Sequence, residues 1–366
     1  MVDRYNFSAG PAVLPKEVLR QVQQEFSDWK GIGSSIVEIS HRSKDFTEMA
    51  DESIADLKEL LAIPDNYRVL FAHGGARGQF AAVAMNLMRT GKADYIDSGY
   101  WSHCAADEAE KYGEVKRINV VEKDASGRKK IRPMSQWALS DDADYLYLCA
   151  NETLDGLELK EEPIWQDKIV VADMSSDILS KPIDVSRYGM IFAGAQKNVG
   201  PAGLTIIIIR EDLIGEPHPL TPAIFDYRIL DKYESMFNTP ATFPWYVAGL
   251  VFKWLKSQGG LVEITKRNEE KAALLYHTID NSDGFYRNMI VPENRSLMNV
   301  SFLLPDESLN GEFITKAKAQ GLTDLKGHRL TGGLRASIYN AMPLEGVETL
   351  VAFMQAFADN HRGDKK

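Results

Sequence analysis

Short apolar runs alternate with amphipathic stretches along the first two thirds of the chain. Near-continuous apolar runs predict six buried strands, ending with GMIFAG and LTIIIIR: 67–72, 93–99, 145–150, 168–173, 189–194 and 204–210. Apolar residues at helical spacing predict helices over 16–29, 45–61, 80–88 and 241–256. The alternation indicates an α/β fold with a mostly parallel sheet flanked by helices. Only 195–203 separates the last two strands, too little for a helical crossover, so the last one is expected to run antiparallel.

The pattern changes in the last hundred or so residues. Helices are predicted over 261–279, 309–320 and 346–360, with strands in NRSLMNVSFLL (294–304) and GGLRASIY (332–339). This order predicts a smaller α+β domain at the C-terminal end. We therefore expect a large domain over 16–259 and a small domain formed by 1–15 and 260–366.

Charge and cysteine content exclude several classes of function. The net charge is −10 and no basic stripe is visible, which argues against nucleic acid as a partner. An anionic ligand must then be held by a local group of cations. The two cysteines show no CxxC spacing, so neither a disulfide framework nor a metal site is expected. MVDRYNFSAGPAVLP lacks the apolar core of a signal peptide, and a cytoplasmic protein is the expectation.

Two charged residues follow neighbouring predicted strands. Asp173 ends KIVVAD, and Lys197 lies in GAQKNVGPAG just after GMIFAG. Functional groups of open α/β sheets cluster beyond the carboxyl ends of the strands. An aspartate and a lysine placed there suit pyridoxal 5′-phosphate (PLP): the lysine binds the cofactor covalently and the aspartate keeps the pyridine nitrogen protonated. Taken singly, Asp173 could cap a turn and Lys197 could be a loop lysine.

A glycine-rich turn supplies a candidate phosphate site. GGARGQF (74–80) lies between a predicted strand and a predicted helix, and it lacks the GK[ST] ending of a P-loop. Backbone N–H groups at a helix N-terminus bind anions readily. The turn lies upstream of Asp173 and Lys197 in the same predicted sheet, which favours a cofactor phosphate at this position.

Several segments together resemble one enzyme family. HGGARGQF, GYW, ANETLDG, VVADMSSDILS, GAQKNVGPAGLT, MFNTPATF, KGHR and GGLRASIYNAMP occur in this order. They are similar to the phosphoserine aminotransferases, which are class V aminotransferases of PLP-dependent fold type I. The similarity extends over nearly the whole chain. It implies a PLP enzyme that acts as a homodimer.

The resemblance also implies a role for each matching residue. Lys197 matches the Schiff-base lysine, Asp173 the partner of the pyridinium, Trp101 the residue stacked on the ring, and Thr153 a hydrogen-bond partner near the ring hydroxyl. Ala76, Arg77 and Gln196 match residues that contact the phosphate. Asn238 and Thr239 match residues that reach the phosphate from the other subunit. Outside this resemblance, Trp101 could equally be a core residue and Thr153 a turn residue.

The family's substrates carry a negative charge at each end. The resemblance implies transfer of an amino group between L-glutamate and 3-phosphohydroxypyruvate, which arginine suits through bidentate contacts. We expect Arg335 to bind the α-carboxylate. The far end of the substrate is assigned to His41, Arg42, Arg77, His328 and Arg329. His-Arg also occurs in the polar tail at 361–362, so the dipeptide alone carries little information.

Three alternatives are weighed against this interpretation. A cysteine desulfurase needs a mobile nucleophilic cysteine, whereas Cys104 and Cys149 both fall in the large domain. An alanine–glyoxylate type transaminase would not need a second group of cations. A non-catalytic nucleotide-binding protein could use the glycine-rich turn, but it would show no cofactor absorbance.

Overall fold

The computed structural model describes residues 4–363; residues 1–3 and 364–366, at the two ends of the predicted small domain, lie outside the described part. Within it the helices are α1 (Lys16–Glu25), α2 (Lys44–Leu61), α3 (Gly75–Leu87), α4 (Tyr100–Ala109), α5 (Tyr227–Lys232), α6 (Thr242–Ser257), α7 (Gly260–Asp280), α8 (Leu309–Ala319) and α9 (Leu344–Gly363). The strands are β1 (Tyr5–Asn6), β2 (Tyr67–Ala72), β3 (Lys92–Asp97), β4 (Glu114–Asn119), β5 (Val121–Lys123), β6 (Lys129–Ile131), β7 (Leu146–Cys149), β8 (Asn151–Glu152), β9 (Leu157–Glu158), β10 (Val170–Asp173), β11 (Met190–Gly194), β12 (Thr205–Arg210), β13 (Asn299–Phe302), β14 (Leu322–Thr323) and β15 (Leu334–Ser337).

A seven-stranded sheet organises the first two thirds of the chain. Its strand order is β2-β12-β11-β10-β7-β3-β4. Strand β12 runs antiparallel to both of its neighbours, and the other neighbouring strands are parallel. The predicted antiparallel last strand is therefore confirmed. The carboxyl ends of β7, β10 and β11 lie side by side, which brings the segments that follow them to one edge of the sheet.

Both faces of this sheet are covered, which explains the run of four isoleucines in β12. Ile206 and Ile208 belong to one hydrophobic cluster, with Trp245 of α6. Ile207 and Ile209 belong to the cluster on the opposite face, with Phe80 of α3. Successive strand residues point to opposite faces, so an all-apolar strand requires packing on both sides.

Three local features differ from the sequence-based prediction. Helix α3 begins at Gly75 and not at 80, so the glycine-rich turn is itself the first helical turn. Gly74, directly before the helix, has a left-handed backbone (φ 94°) that glycine adopts without strain, so α3 can begin at the next residue. Helix α1 ends at Glu25, short of the predicted 29. Helix α4 and strand β4 were not predicted.

The C-terminal part forms a third hydrophobic cluster with the N-terminal strand. Strand β1 pairs in parallel with β14, and β13 pairs antiparallel with β15. Buried Phe7 joins Phe302 and Phe313 in this cluster. Helix α7 contributes to two clusters. Residues of its first half belong to the cluster that contains Ile206 and Trp245, and residues of its second half belong to the C-terminal cluster. The domain boundary at 260 stays a prediction. No helix within residues 4–363 is long and apolar enough to cross a membrane.

Candidate active site

A cavity of about 550 Å³ lies at the carboxyl ends of the central strands. Its wall includes the glycine-rich turn at the start of α3, the start of α4, the segments after β7, β10 and β11, and part of β15. Much of the predicted site comes together in this lining: Ala76, Arg77, Trp101, Thr153, Asp173, Gln196, Lys197, His328 and Arg335.

Lys197 extends into this cavity from the tight connection between β11 and β12. Its own N–H donates to the carbonyl of Ala195 (2.7 Å), which fixes the turn. Its Nζ donates to Thr153 Oγ1 at 2.7 Å and lies 6.0 Å from the centre of the Trp101 ring. Burial lowers the pKa of the Lys197 ammonium, against the opposing charge of the Asp173 carboxylate. A lysine in this setting loses its proton more easily and becomes a nucleophile.

Asp173, the last residue of β10, lies on the same cavity wall. It is 4% exposed, and its Oδ1 accepts a hydrogen bond from the Ser175 N–H at 2.9 Å. Burial raises the pKa of this carboxyl, while the bonds from Ser175 and the charge of Lys197 act in the opposite direction. A cationic ring N–H beside Asp173 would favour its ionised form, because an opposite charge compensates the loss of water.

Trp101 is held by a residue that sequence reasoning missed. The buried carboxylate of Glu152 accepts the backbone N–H groups of Trp101 and Ser102, both at 2.9 Å. These two N–H groups belong to the unsatisfied first turn of α4, so Glu152 caps the helix that carries Trp101. A Cβ on Gly99 would lie 2.6 Å from the Glu152 carboxyl carbon, so Gly99 makes room for this contact. The signal in the sequence was the glycine two positions before Trp101.

The glycine-rich turn lies close to the end of β11, the strand that precedes Lys197. A Cβ on Gly194 would lie 3.4 Å from the Ala76 N atom, so a side chain at 194 would occupy the space in front of that amide. Ala76 lies in the first turn of α3, where backbone N–H groups have no helical acceptor. Arg77 follows it, with its guanidinium 5.4 Å from the centre of the Trp101 ring. The turn is thus a small, polar, cationic recess suited to a phosphate.

Arg335 also lines the cavity. It lies in β15 and is 9% exposed, and burial lowers its pKa. Its Nε and Nη1 are buried and have no hydrogen-bond partner within the described residues. Buried donors of a cation are costly to leave unpaired. A carboxylate in the cavity would pair with Nη2 and one of these two atoms, in the bidentate geometry that guanidinium favours.

Five predicted site residues do not line the cavity of this chain: His41, Arg42, Asn238, Thr239 and Arg329. Arg42, Asn238, Thr239 and Arg329 are exposed. His41 Nε2 is buried without a hydrogen-bond partner among residues 4–363, and burial, with the charge of Arg42, lowers its pKa. The Thr239 carbonyl lies 3.2 Å from the ring of His73, beside the glycine-rich turn. Their assignment to the site stays a prediction.

Comparison with known proteins identifies the family. The model for aminotransferase class-V matches residues 4–350. The chain belongs to the class-V aminotransferase family. The predicted family and its fold-type I α/β architecture are confirmed.

Solved structures of high similarity carry one enzyme name. A phosphoserine aminotransferase from Bacillus circulans subsp. alkalophilus is 42% identical over 98% of this chain and 99% of its own, with a TM-score of 0.94. A phosphoserine aminotransferase studied for radiation damage of its Schiff base is 40% identical over 98% and 100%, with a TM-score of 0.94. A PLP-bound phosphoserine aminotransferase from Trichomonas vaginalis is 39% identical over 96% and 99%, with a TM-score of 0.91. The similarity therefore spans both ends of the cavity.

Proposed function

We propose that the protein is a PLP-dependent phosphoserine aminotransferase. It transfers the amino group of L-glutamate to 3-phosphohydroxypyruvate and yields 2-oxoglutarate and O-phospho-L-serine. The observation that carries the proposal is a single cavity lined by Lys197, Asp173 and the unpaired donors of Arg335. Similarity to phosphoserine aminotransferases over the whole chain supports this choice of substrates.

The residues present fit PLP. Lys197 is the nearby amine for the cofactor aldehyde, and buried Asp173 suits the ring nitrogen. Trp101 presents a ring face in the same cavity, and Thr153 Oγ1 lies next to the lysine. The first turn of α3, with Ala76 and Arg77, would hold the phosphate, together with Gln196. When bound, PLP would accept the electrons released as the substrate Cα loses its proton.

The residues of this chain then perform the proton transfers. Arg335 grips the substrate carboxylate and so orients the Cα–H bond. Lys197, freed by the incoming amine, takes the proton of the substrate Cα at its Nζ as general base and, as general acid, would deliver it to the former aldehyde carbon of the bound cofactor. Its lowered pKa suits both directions. Thr153 Oγ1, 2.7 Å away, fixes where Nζ lies between these steps.

The cations of the cavity account for the choice of acids. With a net charge of −10, the overall field repels anionic substrates, so local cations must hold them. Arg335 supplies two unpaired donors for one end. Arg77 and His328 lie in the same lining and are proposed to meet the far carboxylate or phosphate, with His41, Arg42 and Arg329 assigned to that end by family resemblance.

A second copy of the chain completes the site in this proposal. Asn238 and Thr239 are exposed and would reach the phosphate of the partner subunit. Tyr233 and Phe237, which shortly precede them in the chain, are also exposed, as are Leu220 and Ile224. Exposed apolar surface of this kind is typical of an interface between subunits. We propose a homodimer in which 16–259 forms the large domain and 4–15 and 260–363 most of the small one.

The rival activities find less support in the cavity. Cys149 lines it, but burial raises the pKa of its thiol, the opposite of what a nucleophilic thiolate requires. Cys104 and Cys149 are both free thiols, which suits the proposed cytoplasmic location. The four-carbon phosphorylated acid of pyridoxine biosynthesis carries the same end groups and is a second candidate substrate.

A half-reaction tests the proposal. The holoenzyme is mixed with O-phosphoserine, and the visible cofactor band is followed as it converts to the pyridoxamine phosphate spectrum. Glutamate and a phosphothreonine analogue should also convert it, and alanine should convert it far more slowly. Rapid conversion by alanine with slow conversion by glutamate would support an alanine transaminase instead. Tight nucleotide binding without a cofactor band would support the non-catalytic alternative.

A further inference from the structure

Two buried asparagines connect the segment of Thr153 to β13, the strand that pairs with the strand of Arg335. Asn151 lies just before Thr153, and Asn299 lies in β13 beside the Arg335 strand. Both side chains are buried, Asn299 completely. The Asn151 Nδ2 donates to the Asn299 Oδ1 at 2.8 Å. This bond joins the segment that holds the lysine to the part of the chain that holds the arginine.

The other end of the Asn299 amide is also engaged. Its Nδ2 donates to Ser337 Oγ at 3.0 Å and to Tyr339 Oη at 3.1 Å. The Tyr339 hydroxyl in turn donates to the Ala9 carbonyl at 2.8 Å, and Ala9 lines the cavity. With its acceptor used on one side and both donors used on the other, the amide fits in one orientation only.

The strand register places this amide next to Arg335. In the β13–β15 pair, Asn299 lies opposite Ser337, and Ser301 lies opposite Arg335. Residues two apart on a strand share a face, so Ser337 and Arg335 project to the same side of β15. A hydrogen bond that holds Ser337 in place therefore also holds the face of β15 from which Arg335 projects.

We propose that Asn299 is a positioning residue, which sets the distance between the Arg335 guanidinium and the Lys197–Thr153 pair. The inference rests on the proposed role of Arg335 as the carboxylate ligand. Substrate must contact both ends at once, so a shift of β15 relative to the lysine weakens binding of the carboxylate without changing either residue. Nε and Nη1 of the Arg335 side chain have no hydrogen-bond partner among residues 4–363, which leaves the strand and its neighbours to position the guanidinium.

The neighbouring residue Asn198 provides a second connection of the same kind. It follows Lys197 directly, and its Oδ1 accepts the Asn340 N–H at 3.0 Å. Its Nδ2 donates to the carbonyl of Ile178, after β10, at 3.0 Å. The lysine turn is thus tied to the segment after β15 by one amide, and the Thr153 segment to β15 by the other.

Binding of glutarate, an unreactive dicarboxylate, to the holoenzyme tests the inference by calorimetry. Asn299→Ala should weaken glutarate binding about tenfold, as expected for a residue that couples two sites. The cofactor absorbance and cofactor affinity should change less than about twofold. Tyr339→Phe keeps the ring and removes the hydroxyl with its hydrogen bonds to Asn299 and Ala9, and it should weaken glutarate binding by a smaller factor in the same direction.

The matched control is Asn86→Ala. Asn86 is also a buried asparagine, and its Nδ2 donates to the Ala82 carbonyl at 2.8 Å and to the Phe225 carbonyl at 2.7 Å, away from the Thr153 segment and β15. Its replacement should lower the melting temperature and leave glutarate affinity within about twofold. Equal weakening in Asn86→Ala and Asn299→Ala would overturn the inference, because general destabilisation would then explain it.

Two further outcomes separate this inference from the proposed function. Unchanged glutarate affinity in Asn299→Ala and Tyr339→Phe, with a parent enzyme that transaminates O-phosphoserine, would overturn the positioning role alone. A parent holoenzyme that converts neither O-phosphoserine nor glutamate would overturn the proposed function, while the glutarate comparison would still judge the positioning role. A parent that binds no glutarate would overturn the positioning role, since Arg335 would then hold no carboxylate.

Discussion

The floor and the rim of the candidate site differ in how they are built. The floor consists of Asp173, Thr153, Lys197 and Arg335, which one chain brings into a single cavity. The rim, defined by Arg42, Asn238, Thr239 and Arg329, is exposed and lies outside that cavity. The floor residues lie in buried strands or shortly after them, whereas the rim residues lie in exposed loops.

The contrast between floor and rim predicts which substitutions should have the largest effects. A charged group in the floor has lost its water, so its remaining partners determine its pKa and its reactivity. A charged group on the rim keeps its water, and an exposed ion pair contributes little. Substitutions in the floor should therefore have large effects, and substitutions on the rim should have effects that depend on a second copy of the chain.

The largest effect is expected for Lys197→Ala. It removes both the covalent attachment and the group that moves the proton, so turnover should fall by roughly 10⁴-fold or more. Steady-state transamination with glutamate and 3-phosphohydroxypyruvate measures this. Lys253→Ala, at an exposed lysine of α6 that pairs with Glu52, is the control and should keep the parent rate. A normal rate in Lys197→Ala would remove the basis of the assignment.

Arg335→Lys should have the next largest effect. A lysine keeps the charge but loses the two-pronged contact, at a cost of about 2 kcal/mol, or roughly 30-fold in the KM for glutamate. The same exchange at exposed Arg329 should raise KM by only about fivefold or less. Initial rates at varied glutamate give both values. A larger effect at Arg329 than at Arg335 would reverse the distinction between floor and rim.

Mixed dimers test whether the rim serves the partner. Asn238→Ala alone should weaken PLP binding about tenfold through a lost hydrogen bond. A hybrid of one Lys197→Ala chain and one Asn238→Ala chain would contain one fully intact site, if Asn238 acts across the interface. Titration of PLP should then show one site of parent affinity per hybrid. A hybrid whose only competent site keeps the weak affinity would place Asn238 in its own chain's cavity.

The smallest effect concerns the pH dependence of stability. Burial lowers the pKa of Lys197 in the folded chain, so between that value and about 10.4 the unfolded chain binds more protons. Stability due to this group therefore rises with pH across that window and is lowest below it. Apoenzyme carrying Lys197→Met should be more stable than the parent by about 1 kcal/mol near neutral pH. Urea unfolding at several pH values should show this difference shrink as the pH rises.

The sequence predicted most of the floor because strand ends leave a clear pattern. Asp173 and Lys197 each follow an apolar run, and a parallel sheet brings such positions together. Glu152 was missed because its role depends on hydrogen bonds to Trp101 and Ser102, which lie 51 and 50 positions earlier in the chain. Arg335 was assigned from family resemblance alone, because an arginine in a strand looks the same whether its donors are paired or free.

The amino-acid sequence is enough to predict the alternation of strands and helices, because this alternation depends on local periodicity. It is also enough to predict that β12 is antiparallel, because the connection before β12 is short. The residue types of the site are read from it directly. Only the tertiary structure decided which cations enter the cavity. It left the donors of Arg335 unpaired and kept Arg42 and Arg329 in solvent. It also joined Asn151 to Asn299 across 148 positions of sequence, a contact that no local pattern specifies. Burial and long-range hydrogen bonding depend on where the folded chain places each residue.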